Sequence, residues 1–359
     1  MLTIAIVGLP NVGKSTLFNA LTDSNVLAAN YPFATIEPNT GIVPVPDERL
    51  GKLSQLYNGA PIKPATVTFV DIAGLVKGAS EGEGLGNQFL GHIRACNAIV
   101  QVVRAFADSN VLHVDKTHDP AKDIDVINTE LILADLQTVG KRLPRLEKES
   151  RSLPKLRPEY ETLQQVYTLL DSGRPVWTDQ TIDVASLRDL FLLTAKPVIY
   201  LFNVDEASLS NSALHTKLAA IAAPAQALFI CAKLEDELRS LDTEDRTELL
   251  ESYGQSESGL NQLIRAAYST LGLQSYLTAG DKEVRAWTIK YGSTAPQAAG
   301  AIHGDFERGF IAADVVDYND LLVAGSLSAA RSAGRLRTEG KTYVMQPGDV
   351  VEFKFNVSK

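Results

Sequence analysis

The sequence predicts an α/β fold in which a mostly parallel sheet carries a phosphate-binding loop. Three observations support this prediction. Short, almost wholly apolar runs alternate with helical segments, as in parallel sheets covered by helices on both faces. The first apolar run leads directly into a glycine-rich loop. A heptad pattern then interrupts the alternation, which indicates a helical insertion in the sheet domain.

Five apolar runs are the predicted strands of this sheet. They cover residues 2–7, 66–70, 98–103, 198–202 and 227–230. Of the 359 residues, 45 % are hydrophobic and 21 % are charged, which excludes a wholly disordered chain and allows a substantial core.

Between residues 125 and 172, apolar side chains recur at heptad spacing on two successive segments. The seam positions are Ile132, Leu136, Val139, Leu143, Leu146 and Leu153, followed by Tyr160, Leu163, Tyr167 and Leu170. Pro154 and Pro158 mark the join. The pattern predicts an antiparallel helical hairpin, and Pro144 is expected to kink or restart its first helix.

After about Tyr276 the chain changes to alternating strands and a short helix, which predicts a small α+β module. Residues 350–355 alternate strictly between the two faces of a strand. We therefore assign residues 1–124 and 173–275 to the phosphate-loop domain, residues 125–172 to the hairpin and residues 276–359 to the C-terminal module.

The composition and charge of the chain disfavour several classes of function and partner. The net charge is −9, which disfavours a general polyanion-binding surface, and we expect no DNA partner. The only cysteines, Cys96 and Cys231, exclude a disulfide framework. No apolar run has the length of a membrane span, and the N-terminus lacks a basic region and a cleavage site. We expect a cytoplasmic protein without a membrane partner.

Residues 8–15 read G-L-P-N-V-G-K-S and match G-x-x-x-x-G-K-[ST]. In this motif the backbone N–H groups of Asn11, Val12 and Gly13 and of the helix start cradle phosphates. Lys14 would bridge the β- and γ-phosphates. Ser15 would bind Mg²⁺, with Thr16 beside it. The position between a strand and a helix favours nucleotide binding over an accidental match.

Further nucleotide elements follow in order. Asp71 ends the second predicted strand in D-I-A-G, where it would hold the Mg²⁺ shell, and the N–H of Gly74 would sense the γ-phosphate. Thr35 lies in the loop after the first helix and is the expected switch ligand for Mg²⁺. Gly78, Gly82, Gly84 and Gly86 predict a loop that becomes ordered with the γ-phosphate.

Residues 203–206 read N-V-D-E where Ras-like GTPases carry N-K-x-D. Val204 lacks the lysine stem that packs on the base, and Glu206 is longer than the aspartate that reads guanine. Asn203 can pair with adenine, so we expect ATP to bind more tightly than GTP. Residues 231–233, C-A-K, fit the S-A-K base loop, which adds Cys231 and Ala232 to the expected base site. We expect the Cys231 thiol to be buried and inert.

The position after Gly74 is Leu75, which cannot orient the attacking water as a glutamine does. Hydrolysis should therefore be slow or should use another polar group. His113 is the candidate catalytic helper, with His118 as a second candidate. Asn11 is a candidate ligand for K⁺.

Together, residues 8–15, residues 31–39 (Y-P-F-A-T-I-E-P-N), residues 82–86 (G-E-G-L-G) and residues 203–206 closely resemble the YchF type of Obg-like ATPase. The resemblance covers essentially the whole chain. It implies a G domain with an inserted coiled-coil hairpin and a C-terminal TGS domain of β-grasp type. It also implies ATP hydrolysis, association with ribosomes and a link to oxidative-stress control. By this resemblance Lys14, Ser15 and Thr35 occupy phosphate and Mg²⁺ positions, Asn203 and Glu206 occupy base positions, and Leu75 replaces the catalytic glutamine.

Seven basic residues lie between 141 and 157, and a protruding basic hairpin suits an RNA phosphate backbone. A second basic cluster, in the C-terminal module, comprises Arg331, Arg335, Arg337 and Lys341. We expect ribosomes or ribosomal RNA as the partner. The alternatives are a GTP-specific GTPase of ribosome assembly, a small-molecule kinase and an adaptor that does not hydrolyse its nucleotide.

Overall fold

The computed structural model describes residues 2–23, 39–72, 85–106 and 119–356. The chain divides into two compact units. Unit 1 comprises Met1–Val43 and Thr68–Thr270, and unit 2 comprises Pro44–Val67 and Leu271–Lys359.

The strands and α-helices within these ranges are numbered in chain order. The strands are β1 (Thr3–Gly8), β2 (Thr40–Pro44), β3 (Ile62–Lys63), β4 (Thr66–Asp71), β5 (Ala98–Arg104), β6 (Val198–Asn203), β7 (Gln226–Ile230), β8 (Leu273–Ala279), β9 (Val284–Lys290), β10 (Phe310–Asp317), β11 (Arg337–Glu339) and β12 (Asp349–Phe355). The helices are α1 (Lys14–Asp23), α2 (Glu48–Leu56), α3 (Leu85–Ala95), α4 (Pro120–Ser152), α5 (Arg157–Asp171), α6 (Ser212–Ala222), α7 (Ala232–Leu238), α8 (Thr243–Ser252), α9 (Gly259–Thr270), α10 (Ala295–Ile302), α11 (Gly304–Arg308), α12 (Tyr318–Ala324) and α13 (Leu327–Ser332).

Unit 1 is built on a sheet of strand order β2-β4-β1-β5-β6-β7. The neighbours from β4 to β7 pair in parallel, and every residue of β5 and β6 is buried. Strand β1 lies between β4 and β5, so the order of the strands reverses at β1. In parallel α/β sheets the carboxyl ends of the strands at such a reversal border a crevice that is typical of ligand sites. The predicted α/β fold and its five strands are confirmed. The edge strand β2 was not predicted, because its sequence, T-G-I-V-P, is short and contains a glycine and a proline.

Helices α4 and α5 form the predicted hairpin. Val139, Leu146, Leu163 and Val166 are fully buried at its seam. Leu153 departs from the predicted seam, because it lies at the end of α4 and is 48 % exposed.

Of the two expected effects of Pro144, a kink or a restart of the helix, the restart does not occur, because α4 continues through this residue. A proline inside a helix costs about 3 kcal/mol. Leu143 and Leu146, on either side of Pro144, pack into the hairpin core, and this tertiary packing holds the helix together.

Helix α4 also begins earlier than the predicted hairpin. Asp119 caps it by accepting a hydrogen bond from the N–H of Ala121. Further along α4, the fully buried carboxylate of Asp135 accepts hydrogen bonds from the N–H groups of Leu193 and Thr194 and from the Thr194 hydroxyl. The first half of α4 is therefore part of the packing of unit 1, and only its second half pairs with α5.

Unit 2 contains a second sheet, of strand order β11-β10-β12-β8-β9-β3. Helix α10 packs on one face through a core that includes Tyr276, Ala298 and Val315. The Tyr276 hydroxyl donates a hydrogen bond to the carbonyl of Ala298 at 2.9 Å. Two antiparallel pairs, β10/β12 and β8/β9, flank the parallel contact of β12 with β8, and this fits the β-grasp arrangement expected for this module.

The domain boundary differs from the prediction in one segment. Residues 44–67, which we assigned to the phosphate-loop domain, belong to unit 2. Strand β3 pairs in parallel with β9 through Ile62–Val284 and Lys63–Arg285, and α2 packs against β9 and α12. These partners lie far apart in the chain, and β3 is too short to show a strand pattern in the sequence.

Among the described residues, no helix is long and apolar enough to cross a bilayer.

Candidate nucleotide-binding site

The phosphate-binding loop connects β1 to α1, as its motif predicts. Two of its glycines are required by their surroundings. A Cβ on Gly8 would lie 2.9 Å from both the carbonyl oxygen of Val102 and the Val12 side chain. Gly13 has a φ of +92°, and a Cβ there would collide with the Asn203 side chain. Both positions therefore exclude any other residue, because β5 and β6 approach the loop so closely.

Asn203 joins three elements of the site at the end of β6. Its Nδ2 donates to the carbonyl of Val12 at 2.9 Å, and its Oδ1 accepts from the N–H of Ala232 at 3.0 Å. The side chain is only 5 % exposed. Both ends of this amide therefore contact backbone groups, and its expected pairing with adenine stays a prediction. The amide holds the phosphate loop to β6 and to the start of α7.

Lys14 and Asp71 meet where β1 and β4 end. The Lys14 Nζ lies 2.5 Å from Asp71 Oδ1, and both side chains are about 10 % exposed. They are neighbours because β1 and β4 pair in parallel with Ile6 opposite Asp71. Ser15 and Thr16 are exposed in the first turn of α1, and Asn11 is exposed in the loop with a φ of +62°. The structure therefore brings together the predicted phosphate lysine, metal aspartate and metal serine at one edge.

Two of the predicted base residues, Glu206 and Val204, have different surroundings. Glu206 Oε1 accepts from Lys233 Nζ at 2.8 Å, and this hydrogen bond raises the pKa of the Lys233 ammonium. Val204 is only 2 % exposed, so its side chain belongs to the core.

The thiol of Cys231 is buried, and burial raises its pKa. A buried thiol with a raised pKa holds little reactive thiolate, in line with the expectation of an inert cysteine.

Several predicted residues lie outside the described part of the chain. They are Thr35, Gly74, Leu75, His113 and His118, together with Gly78, Gly82 and Gly84. Their assignments stay predictions from the sequence. Within the described ranges, no group of three His, Cys, Asp or Glu side chains is arranged to hold a metal ion.

Sequence reasoning missed Glu235, a buried carboxylate one helical turn into α7. Its Oε1 accepts from the N–H of Gly259 at 2.6 Å and so connects α7, which begins at Ala232, to the start of α9. Burial raises the Glu235 pKa to about 7, although hydrogen bonds from residues 258–260 and the charge of Arg246 act in the opposite direction. No motif marks this residue, because its role depends on a distant helix.

Both the N-terminal and the C-terminal parts of the chain match known protein families. The family model MMR_HSR1, described as a 50S ribosome-binding GTPase, matches residues 3–136. The model YchF-GTPase_C, described as a protein of unknown function, matches residues 273–356. The ribosome-binding ATPase YchF of Bacillus subtilis is 50 % identical, over 99 % of this chain and 100 % of its own length. The chain belongs to the YchF family of Obg-like ATPases.

Two further YchF-family proteins resemble the chain over nearly its whole length. Obg-like ATPase 1 of Rattus norvegicus is 44 % identical over 99 % of this chain and 92 % of its own length. The solved structure of the Schizosaccharomyces pombe YchF GTPase has a TM-score of 0.86 and 39 % identity, covering 98 % of this chain and 97 % of that one. The resemblance inferred from the sequence motifs is therefore confirmed, as is the P-loop NTPase fold.

The Asn203 contacts predict an effect on both nucleotides. Asn203→Ala removes two buried hydrogen bonds, each with a net value of about 1 kcal/mol, and frees the loop. We expect ATP and GTP affinities to fall together, by roughly ten- to a hundredfold. Competition with fluorescent nucleotide analogues measures both affinities. Asn211→Ala, which removes a cap of α6 in the same unit, is the matched control and should leave both unchanged. A loss confined to ATP would instead indicate direct adenine recognition by Asn203.

Glu235 predicts a pH dependence of stability. Because its folded pKa of about 7 exceeds the unfolded value of 4.5, the folded chain binds this proton more tightly. The contribution of protonated Glu235 to the free energy of unfolding is therefore fully present below pH 4.5. It is lost as the pH rises through about 7. Glu235→Gln, which keeps the acceptor for Gly259, should stabilise the chain at pH 8 by up to about 3 kcal/mol.

Thermal unfolding between pH 5 and pH 8 measures this effect. The difference in Tm between Glu235→Gln and the unaltered chain should grow with pH. Glu237→Gln, an exposed change on the same helix, is the control and should run parallel to the unaltered chain. Identical pH profiles for Glu235→Gln and the unaltered chain would contradict the assignment.

Proposed function

We propose that this chain binds and hydrolyses ATP and acts as a nucleotide-dependent switch on ribosomes. The observation that carries the proposal is the contact of Lys14 with Asp71 at the carboxyl ends of β1 and β4, with Ser15 next to Lys14 in the first turn of α1. Family membership supports it, because relatives of nearly equal length are named ribosome-binding ATPases. ATP would hold Thr35 and the glycine-rich segment before α3 in one state, and hydrolysis would release them.

The base preference follows from the carboxylate of Glu206. In the guanine-reading motif the final aspartate must accept hydrogen bonds from two base N–H groups. Here Glu206 already accepts from Lys233 at 2.8 Å, and its chain is one methylene longer. We therefore favour ATP, with GTP binding more weakly. The GTP-specific alternative has its own support, because the Schizosaccharomyces pombe relative is named a GTPase.

Mg²⁺ is the proposed cofactor, since a hard cation prefers oxygen ligands of the kind present here. The Ser15 hydroxyl would bind it directly and the Asp71 carboxylate would hold its water shell. When bound, Mg²⁺ neutralises negative charge on the phosphates. Lys14 would exchange its contact with Asp71 for the β- and γ-phosphate oxygens, where its ammonium stabilises the charge of the transition state. Thr35 is the proposed further Mg²⁺ ligand, and Asn11 the proposed ligand of a K⁺ ion.

The group that activates the attacking water is proposed from the sequence. The leucine at position 75 has no hydrogen-bonding group, so another side chain must orient the attacking water or hydrolysis must be slow. His113 is proposed for this role, and the N–H of Gly74 for contact with the γ-phosphate.

Nucleotide competition tests the base assignment. Nucleotide-free protein is titrated with fluorescent ATP and GTP analogues in Mg²⁺ and K⁺ buffer, and each is displaced with unlabelled ATP and GTP. We expect ATP to bind at least tenfold more tightly, a difference of about 1.4 kcal/mol. Lys14→Ala should weaken both nucleotides and confirms that the signal comes from this site. A tenfold preference for GTP would place the chain with the GTP-specific enzymes.

Product analysis on the same protein separates the remaining alternatives. Free phosphate as the sole product, faster with ribosomes, supports the proposal. No turnover with ribosomes and K⁺ would favour an adaptor that does not hydrolyse ATP, and a phosphorylated small molecule would indicate a kinase.

The proposed ribosomal contact is the join of the hairpin. Most hairpin arginines are already paired with glutamates: Arg142 and Arg145 with Glu149, Arg151 with Glu147, and Arg157 with Glu161. Lys148 and Lys155 are exposed and form no ion pair within the described residues. These two lysines therefore carry the unbalanced charge that suits RNA phosphates.

The second basic cluster, in the C-terminal module, is less suited to this role. Arg331 is paired with Asp314, Arg335 lies near Asp320, and Arg337 lies near Glu339 and Asp349. The C-terminal module stays a proposed second contact, with Lys341 as its exposed cation.

Co-sedimentation with ribosomes tests the hairpin contact. The double variant Lys148→Glu/Lys155→Glu should reduce bound protein at least fivefold in moderate salt, because it reverses two charges at the RNA. ATP affinity should not change. Lys217→Glu, on the exposed surface of α6, is the control for a charge reversal outside the hairpin. Undiminished binding by the double variant would exclude the hairpin as the main contact.

A further inference from the structure

A cleft in unit 1, separate from the phosphate loop, lies between α3 and α4. Its volume is about 300 Å³. Helix α3 contributes Asn87, Leu90 and Arg94 and helix α4 contributes Ala134, Gln137, Thr138 and Lys141. The positions on α3 follow steps of three and four, and those on α4 recur at i, i+3, i+4 and i+7, so each set forms a single helical face. Two apolar residues, Leu90 and Ala134, are buried, and the other lining residues are polar or basic.

The charges of the cleft lining are all positive. Arg94 from one helix and Lys141 from the other face the same space, and the lining contains no acidic residue. Within the described part of the chain, neither of these two cations forms an ion pair. This contrasts with the paired arginines further along the same hairpin, and it occurs in a chain whose net charge is −9.

Asp135 follows Ala134 on α4 but does not neutralise this pair of cations. Its charge attracts Arg94, yet its oxygens accept hydrogen bonds from Leu193 and Thr194, and it has no ion pair with Arg94. On the other side, Lys196 donates to the carbonyl of Arg94 at 3.1 Å and adds a further positive charge behind the cleft. The repulsion from Arg94 helps burial to lower the pKa of Lys196.

We propose that this cleft is a second anion site, which binds a phosphate group of a small soluble ligand between Arg94 and Lys141. The guanidinium provides paired N–H donors that match two phosphate oxygens, and the ammonium provides a compact opposing charge. The exposed amide of Gln137 adds a neutral donor. The Thr138 hydroxyl donates to the carbonyl of Ala134 within its own helix and takes no part.

The size of the cleft also selects the ligand. Pockets for drug-sized molecules range from about 300 to 1,000 Å³, so this cleft suits a phosphate with few attached atoms. A bound phosphate would tie α3 to α4. Helix α3 begins soon after the chain segment that leaves Asp71, whereas α4 is fixed to the body of unit 1 by Asp135. A phosphate bound in the cleft would therefore restrain α3, the helix that follows the nucleotide site in the chain.

Crystallography of the full chain with sodium tungstate, a phosphate mimic with strong anomalous scattering, locates the site. We expect one anomalous peak at the phosphate loop, which is the internal control, and a second between Arg94 and Lys141. In the double variant Arg94→Gln/Lys141→Gln the second peak should disappear while the first remains. A peak at the phosphate loop alone in the unaltered chain would overturn the proposal without affecting the proposed ATPase function.

Calorimetry tests binding in solution. Inorganic phosphate is titrated into the full chain after Mg²⁺ and a non-hydrolysable ATP analogue have filled the phosphate loop. The double variant should bind phosphate at least tenfold more weakly, and Lys217→Gln, on the exposed surface of α6 in the same unit, should match the unaltered chain. Equal phosphate binding by the double variant would overturn the proposal. So would binding of a short RNA that requires Arg94 and Lys141 when inorganic phosphate does not bind.

Discussion

The nucleotide site depends on one buried amide. Asn203 connects the carbonyl of Val12 in the phosphate loop to the N–H of Ala232 at the start of α7. Because it lies at the end of the buried strand β6, it ties the phosphate loop to the sheet. The same contact requires a glycine at position 13, since the Asn203 amide occupies the space that any larger residue would need.

The second constraint is the pairing of Lys14 with Asp71. Each residue is expected to meet a different part of the ligand, the phosphates and the metal, yet here they neutralise each other in a nearly buried position. A nucleotide without its cation would leave Asp71 close to phosphate oxygens of the same sign. The geometry therefore favours joint binding of nucleotide and Mg²⁺, because each neutralises the group that the other displaces.

The hairpin is anchored to the body of unit 1 through its first helix. Its first helix is fixed to the body of unit 1 by Asp135 and then continues through Pro144 to the join. A continuous helix transmits displacement better than one that restarts. Arginine–glutamate pairs stiffen its surface only slightly, since exposed pairs contribute at most about 1 kcal/mol each. The lysines left over are the groups available to a charged partner.

The sequence by itself determined the parallel sheet, the phosphate loop with Lys14, Ser15 and Asp71, the hairpin seam and the family, because these depend on local patterns of apolar, glycine and charged residues. Tertiary structure decided the rest. The role of Asn203, the raised pKa of Glu235 and the cleft between α3 and α4 arise from residues that meet only after folding. The same holds for residues 44–67, whose strand β3 pairs with β9. No local pattern encodes such contacts, since hydrogen bonding and burial depend on distance in space and not on distance along the chain.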